Sequence, residues 1–415
     1  MPESERIWNS IDKLWNYCHS KNFAGYDPED ILNSPVLRSG GRYSRRAAVS
    51  LLGESPINFR DVLSVREEQN PTALGVFLSV ASEIYKDTEN PNFKAPAYYL
   101  LETLFKKRSP DYTKYCWGEN HEIILGDYSI PKFTPNIISS TVIGNGFIDA
   151  YEAFGEPEFL KVAYSIADFI KDDIYRTPFE ESVCFSFSPI DKTMLHCANI
   201  IGAAFLSRTV LYSDSHEHAE LAYRSAQFTA DFQNPDGGWY NMVEENPVDI
   251  DNLNMALTLK FLKDYIAYSS RPDLNDKMRK GIDYYMRKMF TSEGIPKFKK
   301  DRTYPVDIRS CSQAVITLCS MRGMSYECSS VLEKCFDWVF NNMRHPDGYF
   351  YYRKNRFYTN RAVYMERGQA WMLKALLAYY DYAKEFEYAE DRVQIRDGYR
   401  LIFEGNNFTF EKVES

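Results

Sequence analysis

Ser188–Asp191 reads SPID, Asn246–Asp249 reads NPVD and Tyr304–Asp307 reads YPVD, and the three aspartates stand 58 residues apart each time. Each phrase opens an apolar helical stretch: HCANIIGAAFLSRTVLYS, NLNMALTLKFLKDYIAYS and SCSQAVITLCSM. A polar break follows, then a second stretch at roughly 215–233, 272–290 and 326–342 with apolar residues at three- and four-residue spacing. A repeat of this length predicts stacked two-helix units, because one such unit cannot bury its faces alone.

The unit extends in both directions. One step earlier, TPN at Thr134–Asn136 starts IISSTVIGNGFIDAYEAFG, with a helix following near 157–173. Before it, PTALGVFLSVASEIYKD (71–87) and a helix near 92–108 form another pair. One step later, a stretch from about Arg361 to Lys384 supplies a sixth first helix, whose partner is either the segment near 390–403 or the one near 5–20. First helices are apolar nearly all round and second helices are amphipathic, which predicts an inner layer sheathed by an outer one. The predicted fold is all-α: an (α/α)6 toroid of about six helical hairpins with a cleft at the inner-helix N-termini. An open solenoid is the competing arrangement. Residues 1–60 read as an N-terminal helix and extended lead-in, and 61–415 as the toroid.

Composition narrows the partners. A net charge of -9 argues against nucleic acid and anionic membrane surfaces. No basic n-region with an apolar run opens the sequence, and no apolar run is long enough to span a bilayer, so a cytoplasmic location is expected. The eight Cys form no CxxC pair and read as reduced core residues, and the six His are dispersed, so neither metal nor cofactor is expected. Aromatic content is 15%, with 31 Tyr and 27 Phe, which suits either a binding cleft or a ring-rich core.

In a ring of parallel inner helices, the residues around each repeated phrase share one end. Asp191, Asp249 and Asp307 are expected to cap their helices. Asp251 is then surplus to capping: beside Asp249 it forms a carboxylate pair of the kind that prepares an acid and a base, or it is a solvated first-turn carboxylate. His196 and Asn199, Arg309 and Gln313, and Tyr364, Glu366, Arg367, Gln369 and Trp371 lie at similar depth. Arg309 and Arg367 facing the axis would meet anionic groups of a ligand, or pair internally with acids such as Glu366 or Asp307. The segments before the inner helices are aromatic: YCWGEN with Trp117 and Glu119, CFSFS, GGWYN with Trp239 and Tyr240, PKFKK, and GYFYYRKNRFY with Tyr351 and Arg353. Rings beside amides and charges suit sugars, so Trp117, Trp239 and Tyr351 are expected to line one groove.

These phrases carry a resemblance. YCWG, TPN, CFSFSP, DGGWYN, YPVDI and the closing RGQAW run, over roughly residues 60–385, resemble six-hairpin carbohydrate-active proteins. That class includes unsaturated glucuronyl hydrolases, sugar 2-epimerases and uronate-acting lyases, and the chain is most similar to members associated with capsule and surface-polysaccharide biosynthesis. It departs from the pattern at Met365, where Trp is expected, and at Asn254, where related enzymes carry His. The resemblance implies an acidic polysaccharide or oligosaccharide as partner, with polysaccharide-assembly proteins as possible neighbours. It also implies glycoside hydrolysis by carboxylates drawn from Asp251, Asp249, Asp191 and Glu366. One alternative is a lyase or C5-epimerase using Tyr304, His196, Asn252 and Arg309; another is a non-catalytic polysaccharide-binding protein.

Overall fold

The computed structural model describes residues 2–415 apart from 38–39, 126, 246, 248, 325, 393–398, 405–406 and 413–415. Helix α1 (Glu3–Ser20) and a short α2 (Arg42–Ala48) precede five hairpins. These are α3 (Pro71–Thr88) with α4 (Pro91–Lys106), α5 (Ile137–Phe154) with α6 (Pro157–Asp172), α7 (His196–Val210) with α8 (His216–Asp231), α9 (Asn252–Ser269) with α10 (Asn275–Met289), and α11 (Ile308–Ser320) with α12 (Tyr326–Asn342). A π-helical turn, Met365–Ala370, leads into α13 (Trp371–Arg392). Capping fixes several of the starts: Asn70, Asn90 and Asn136 each accept a backbone N–H of the first turn, and Pro71 and Pro91 occupy first helical positions where an N–H is not needed.

The odd-numbered helices from α3 to α13 pack side by side, and α13 returns to α3, so the ring closes. A solenoid would leave that last pair apart. The outer partner of α13 is α1, drawn from the opposite end of the sequence. The segment near 390–403 does not supply it: beyond α13, Tyr399–Glu404 and Asn407–Lys412 pair as an antiparallel ribbon. The tightest inner contact is α3 on α5. A Cβ on Gly75 would stand 2.9 Å from Ile143 Cα, and one on Gly146 would stand 2.8 Å from the Gly75 carbonyl oxygen. Glycine at both positions is what lets these backbones meet.

A repeated backbone hook binds neighbouring units at the N-terminal mouth. The first N–H of an inner helix donates to a carbonyl in the next unit's lead-in: Ile137 to Phe187 (2.9 Å), His196 to Asn241 (3.2 Å), Asn252 to Phe298 (3.3 Å) and Ile308 to Tyr352 (3.0 Å). Met365 N donates to Tyr26 at 2.9 Å, which carries the series across the closure. These otherwise orphaned helix-start donors thus hold the ring together.

The three repeated aspartates all precede inner helices at this end, but their capping differs from the expectation. Asp307 caps α11, accepting Arg309 N at 2.9 Å. In the preceding unit the cap is Asp251, which accepts Asn254 N at 2.8 Å, and Asp249 lies two residues before that cap. Asp191 caps no helix: α7 starts five residues later, and Asp191 instead accepts Ser188 N (2.6 Å) and Thr193 N (2.9 Å), closing its own turn.

Candidate active site at the ring mouth

A cavity of about 260 Å³ opens at the inner-helix N-termini. Its polar wall holds Glu29, Glu119, His121, Arg309, Glu366 and Arg367, and Leu195, Leu253 and Leu257 give it an apolar side. Glu119 comes from the α4–α5 connection. Its Oε1 accepts from Thr72 Oγ1 (2.7 Å) and Ser139 Oγ (2.8 Å) at the starts of α3 and α5, and its Oε2 accepts from Asn70 Nδ2 at 2.6 Å. Three donors therefore hold that carboxylate in one orientation. The ribbon β1 (Ile123–Leu125) and β2 (Tyr128–Ile130) in the same connection lays Ile123 and Leu125 along the rim.

The π-helical turn presents Glu366 and Arg367 from the other side, a local widening often found where an inner helix carries function. Glu366 is buried, its Oε1 accepts the indole N–H of Trp371 at 2.7 Å, and Arg309 Nη2 stands 3.7 Å from the same oxygen. Arg367 pairs with Glu29 of the lead-in. Burial works to raise the Glu29 carboxyl, but Arg367, His121 and Arg309 overcome it and hold the group below its usual value. Beneath the turn, Asp27 accepts the backbone N–H of Glu366 (3.1 Å) and Arg367 (3.2 Å). Burial and the adjacent Glu366 charge push the Asp27 carboxyl well above the usual range.

Two buried nitrogens in this wall are unmet: Arg309 Nε and His121 Nδ1 have no hydrogen-bond partner. A buried polar atom without a partner is costly, and in a cavity wall it suits a polar group of a ligand. Cys197 also lines the cavity, with Sγ 2.9 Å from Asn254 Oδ1, but burial and the Asp251 charge push its thiol up to about 12, so it is no nucleophile near neutral pH. An adjoining arm of about 250 Å³ runs past Tyr240, Asn241, Glu244 and Asp249. Among the described residues, no group of three or more His, Cys, Asp and Glu side chains is placed to hold a metal ion, and no helix is long and apolar enough to cross a membrane.

The structure thus gathers Glu119, Arg309, Glu366 and Arg367 in the cavity and Tyr240 and Asp249 in its arm. Asp249 pairs with Lys299 at 2.5 Å and is half exposed. Asp251 lines neither the cavity nor its arm and has structural employment. Besides its cap, its Oδ2 accepts from Asn254 Nδ2 (2.9 Å) and Asn241 Nδ2 (2.7 Å), and burial raises the carboxyl against these bonds.

Other candidates lie elsewhere. Trp117 and Trp239 are core residues rather than groove rings. Each buries its ring behind the inner layer and donates its indole N–H to an outer helix, Trp117 to Leu104 O (2.9 Å) and Trp239 to Thr229 O (2.7 Å). Tyr351 lies near His345 and Tyr349, away from the cavity, so these three rings line no common groove. His196 is buried between Phe228 and Phe232, and burial lowers its imidazole to about 4. Asn199 accepts Phe185 N (2.9 Å) and donates to Ser225 O (2.7 Å); Gln369 does the same for Phe350, with both bonds at 2.9 Å. Asn252 ties α9 to Met289 O (2.9 Å) and Tyr285. Arg353 is shared between Asp307 and Glu54, each at 2.6 Å. Tyr304 is half-buried against the core. Trp371 reaches the mouth only through its bond to Glu366.

Glu29 and His121 are two polar wall residues that sequence reasoning missed. Glu29 belongs to the lead-in, outside the repeat, and His121 directly follows the YCWGEN phrase without a periodic signal of its own.

No family model matches the chain, and no curated protein matches it by sequence. Solved structures do match in fold. A cellobiose 2-epimerase from Bacillus thermoamylovorans aligns with a TM-score of 0.62 at 9% identity, over 77% of this chain and 90% of that one. A GH76 α-mannanase from Bacteroides thetaiotaomicron gives 0.57 at 9% identity, over 75% and 87%. An unsaturated glucuronyl hydrolase from Bacillus sp., responsible for the degradation of glycosaminoglycan, gives 0.55 at 10% identity, over 76% and 88%. These neighbours are six-hairpin (α/α)6 carbohydrate-active enzymes, and this chain shares their fold.

Proposed function

We propose that this protein is a carbohydrate-active enzyme that hydrolyses a glycosidic bond in an acidic surface polysaccharide or oligosaccharide, using the mouth cavity. The observation that carries the reading is the wall itself: Glu119 and Glu366 from different sectors of the ring, with the unmet nitrogens Arg309 Nε and His121 Nδ1 beside apolar surface. The fold neighbours, an epimerase and two hydrolases of sugars among them, support the substrate class. In this reading Arg309 and Arg367 meet the sugar carboxylate. Glu366 and Glu119 supply the two carboxyls of the reaction: one, in its protonated form, gives its proton to the leaving oxygen as the glycosidic C–O bond breaks, and the other, ionised, takes a proton from the water that attacks the anomeric carbon.

A second reading rests on His121. A buried imidazole with a free Nδ1 beside two guanidiniums is suited to removing the proton next to a uronate carboxyl, as a lyase or C5-epimerase requires. One experiment separates the readings. Acidic oligosaccharides are incubated in D2O and analysed for new reducing ends, for unsaturated products and for deuterium at C5. Hydrolysis yields reducing ends without unsaturation or label, and both Glu366→Gln and Glu119→Gln lose it. Label or unsaturation that His121→Gln abolishes selects proton abstraction. Binding with no product from any substrate leaves a carbohydrate-binding protein.

A further inference from the structure

The lumen does not end at the mouth. Deeper along the inner helices lies a second cavity of about 210 Å³ that shares no wall residue with the first. On α11, Arg309 faces the mouth and Gln313, one turn on, faces the deeper space. On α9, Leu257 and Lys260 divide in the same way. Trp371 stands between the chambers: its ring lines the deep one and its N–H donates to Glu366 in the other.

The deep wall is charged but balanced. Arg208 binds Asp149 at 2.6 Å, Lys374 binds Glu83 at 2.5 Å and Ser79 Oγ at 2.9 Å, and Lys260 pairs with Asp264. Three cations thus answer three carboxylates, and a ligand with net charge would leave one of them uncompensated in a confined space. One group remains unmet. Gln313 is 2% exposed, and its Nε2 has no partner. Tyr268 adds a phenol, and Trp371, Phe261 and Val142 add apolar faces. Amides, hydroxyls and paired charges around aromatic surface match a neutral polyhydroxylated ring, whose hydroxyls each donate and accept while its C–H face packs on the rings.

We infer that this deep chamber is a second ligand site, distinct from the mouth, that takes a neutral monosaccharide. The inference stands apart from the reaction proposed for the mouth, since Trp371, which backs both chambers, is the one residue the two share.

The test is calorimetric titration of the full-length protein with D-glucose, D-galactose and D-mannose, repeated on variants of each chamber. At least one sugar is expected to bind at millimolar concentration or below. Gln313→Leu and Tyr268→Phe should each weaken it by about fivefold or more, the loss of one hydrogen bond. Glu119→Gln, in the mouth, should leave it unchanged. Tyr268→Phe removes a single oxygen from a half-buried ring, so it keeps the test alive if Gln313→Leu folds poorly. Absence of binding by all three sugars overturns the inference. So does binding that Glu119→Gln weakens and Tyr268→Phe does not.

Discussion

Trp371 donates its indole N–H to Glu366 Oε1 at 2.7 Å, and that oxygen is also the one nearest Arg309. A single carboxylate oxygen is therefore steered by a neutral donor from below and a cation from the side. Trp371→Phe should keep the ring packing and the fold but release this oxygen. Turnover on the mouth's substrate is expected to fall about tenfold, the effect of one lost hydrogen bond to a charged group. The midpoint of thermal unfolding should move little. A loss of activity that tracks a matching loss of folded protein would show the bond to be structural.

In the proposed reaction Arg309 reads charge rather than doing chemistry. Arg309→Gln should raise KM for a uronate-bearing substrate about tenfold or more while changing kcat far less, since a charge-assisted bond to the ligand is what disappears. Steady-state kinetics on paired acidic and reduced-carboxyl substrates checks this, and the reduced-carboxyl substrate should be affected less.

The two aspartates before α9 are expected to separate in stability. Asp251→Ala removes the cap and strands the Asn254 N–H, at a cost of about 1–2 kcal/mol. Asp249→Ala breaks only a half-exposed pair with Lys299, about 0.5 kcal/mol or less. Urea unfolding of both variants gives the comparison, and equal losses would refute it.

His196 sets an acid limb on stability. Folding holds its imidazole at about 4 against an ordinary 6.5, because burial disfavours the charged form. The unfolded chain therefore binds the extra proton first. Stability from this group is complete above pH 6.5 and is lost as pH falls towards about 4, by about 3 kcal/mol in all. His196→Phe, which cannot titrate, should flatten the urea midpoint over that window. An unchanged slope would place the acid sensitivity elsewhere.

The ring was legible because its signal is long-range: apolar first helices recur behind a Pro-Asp phrase that no local structure requires. The phrase and the helix do not keep the same period, however. The aspartates step by 58 residues, whereas His196, Asn252 and Ile308, the first residues of α7, α9 and α11, step by 56. The cap consequently slides along the phrase, which is why Asp307 fits the expectation, Asp249 yields to Asp251, and Asp191 closes a turn instead. Polar side chains in the inner helices were read as candidate ligand groups, but Asn199 and Gln369 serve the backbone of the lead-in segments. A sequence cannot distinguish the two uses, because a buried amide needs partners either way. The same holds for Trp117 and Trp239, whose rings plug the outer layer. Glu29 was hidden for a different reason: only the closed ring brings the lead-in to Arg367.

That closure has a temporal side. Glu29 and Arg367 are 338 positions apart along the chain, and Tyr26 and Asp27 receive Met365, Glu366 and Arg367 in the same place. Synthesis delivers the lead-in before the π-helical turn, so the mouth acquires its last wall only after the five hairpins between them have been made. Such distant pairing slows folding far more than it weakens the finished ring. A nascent or clipped chain that stops before the π-helical turn would leave the inner helices uncovered and the mouth lacking Glu366 and Arg367. In this architecture the mouth gains its last wall only when the ring itself closes.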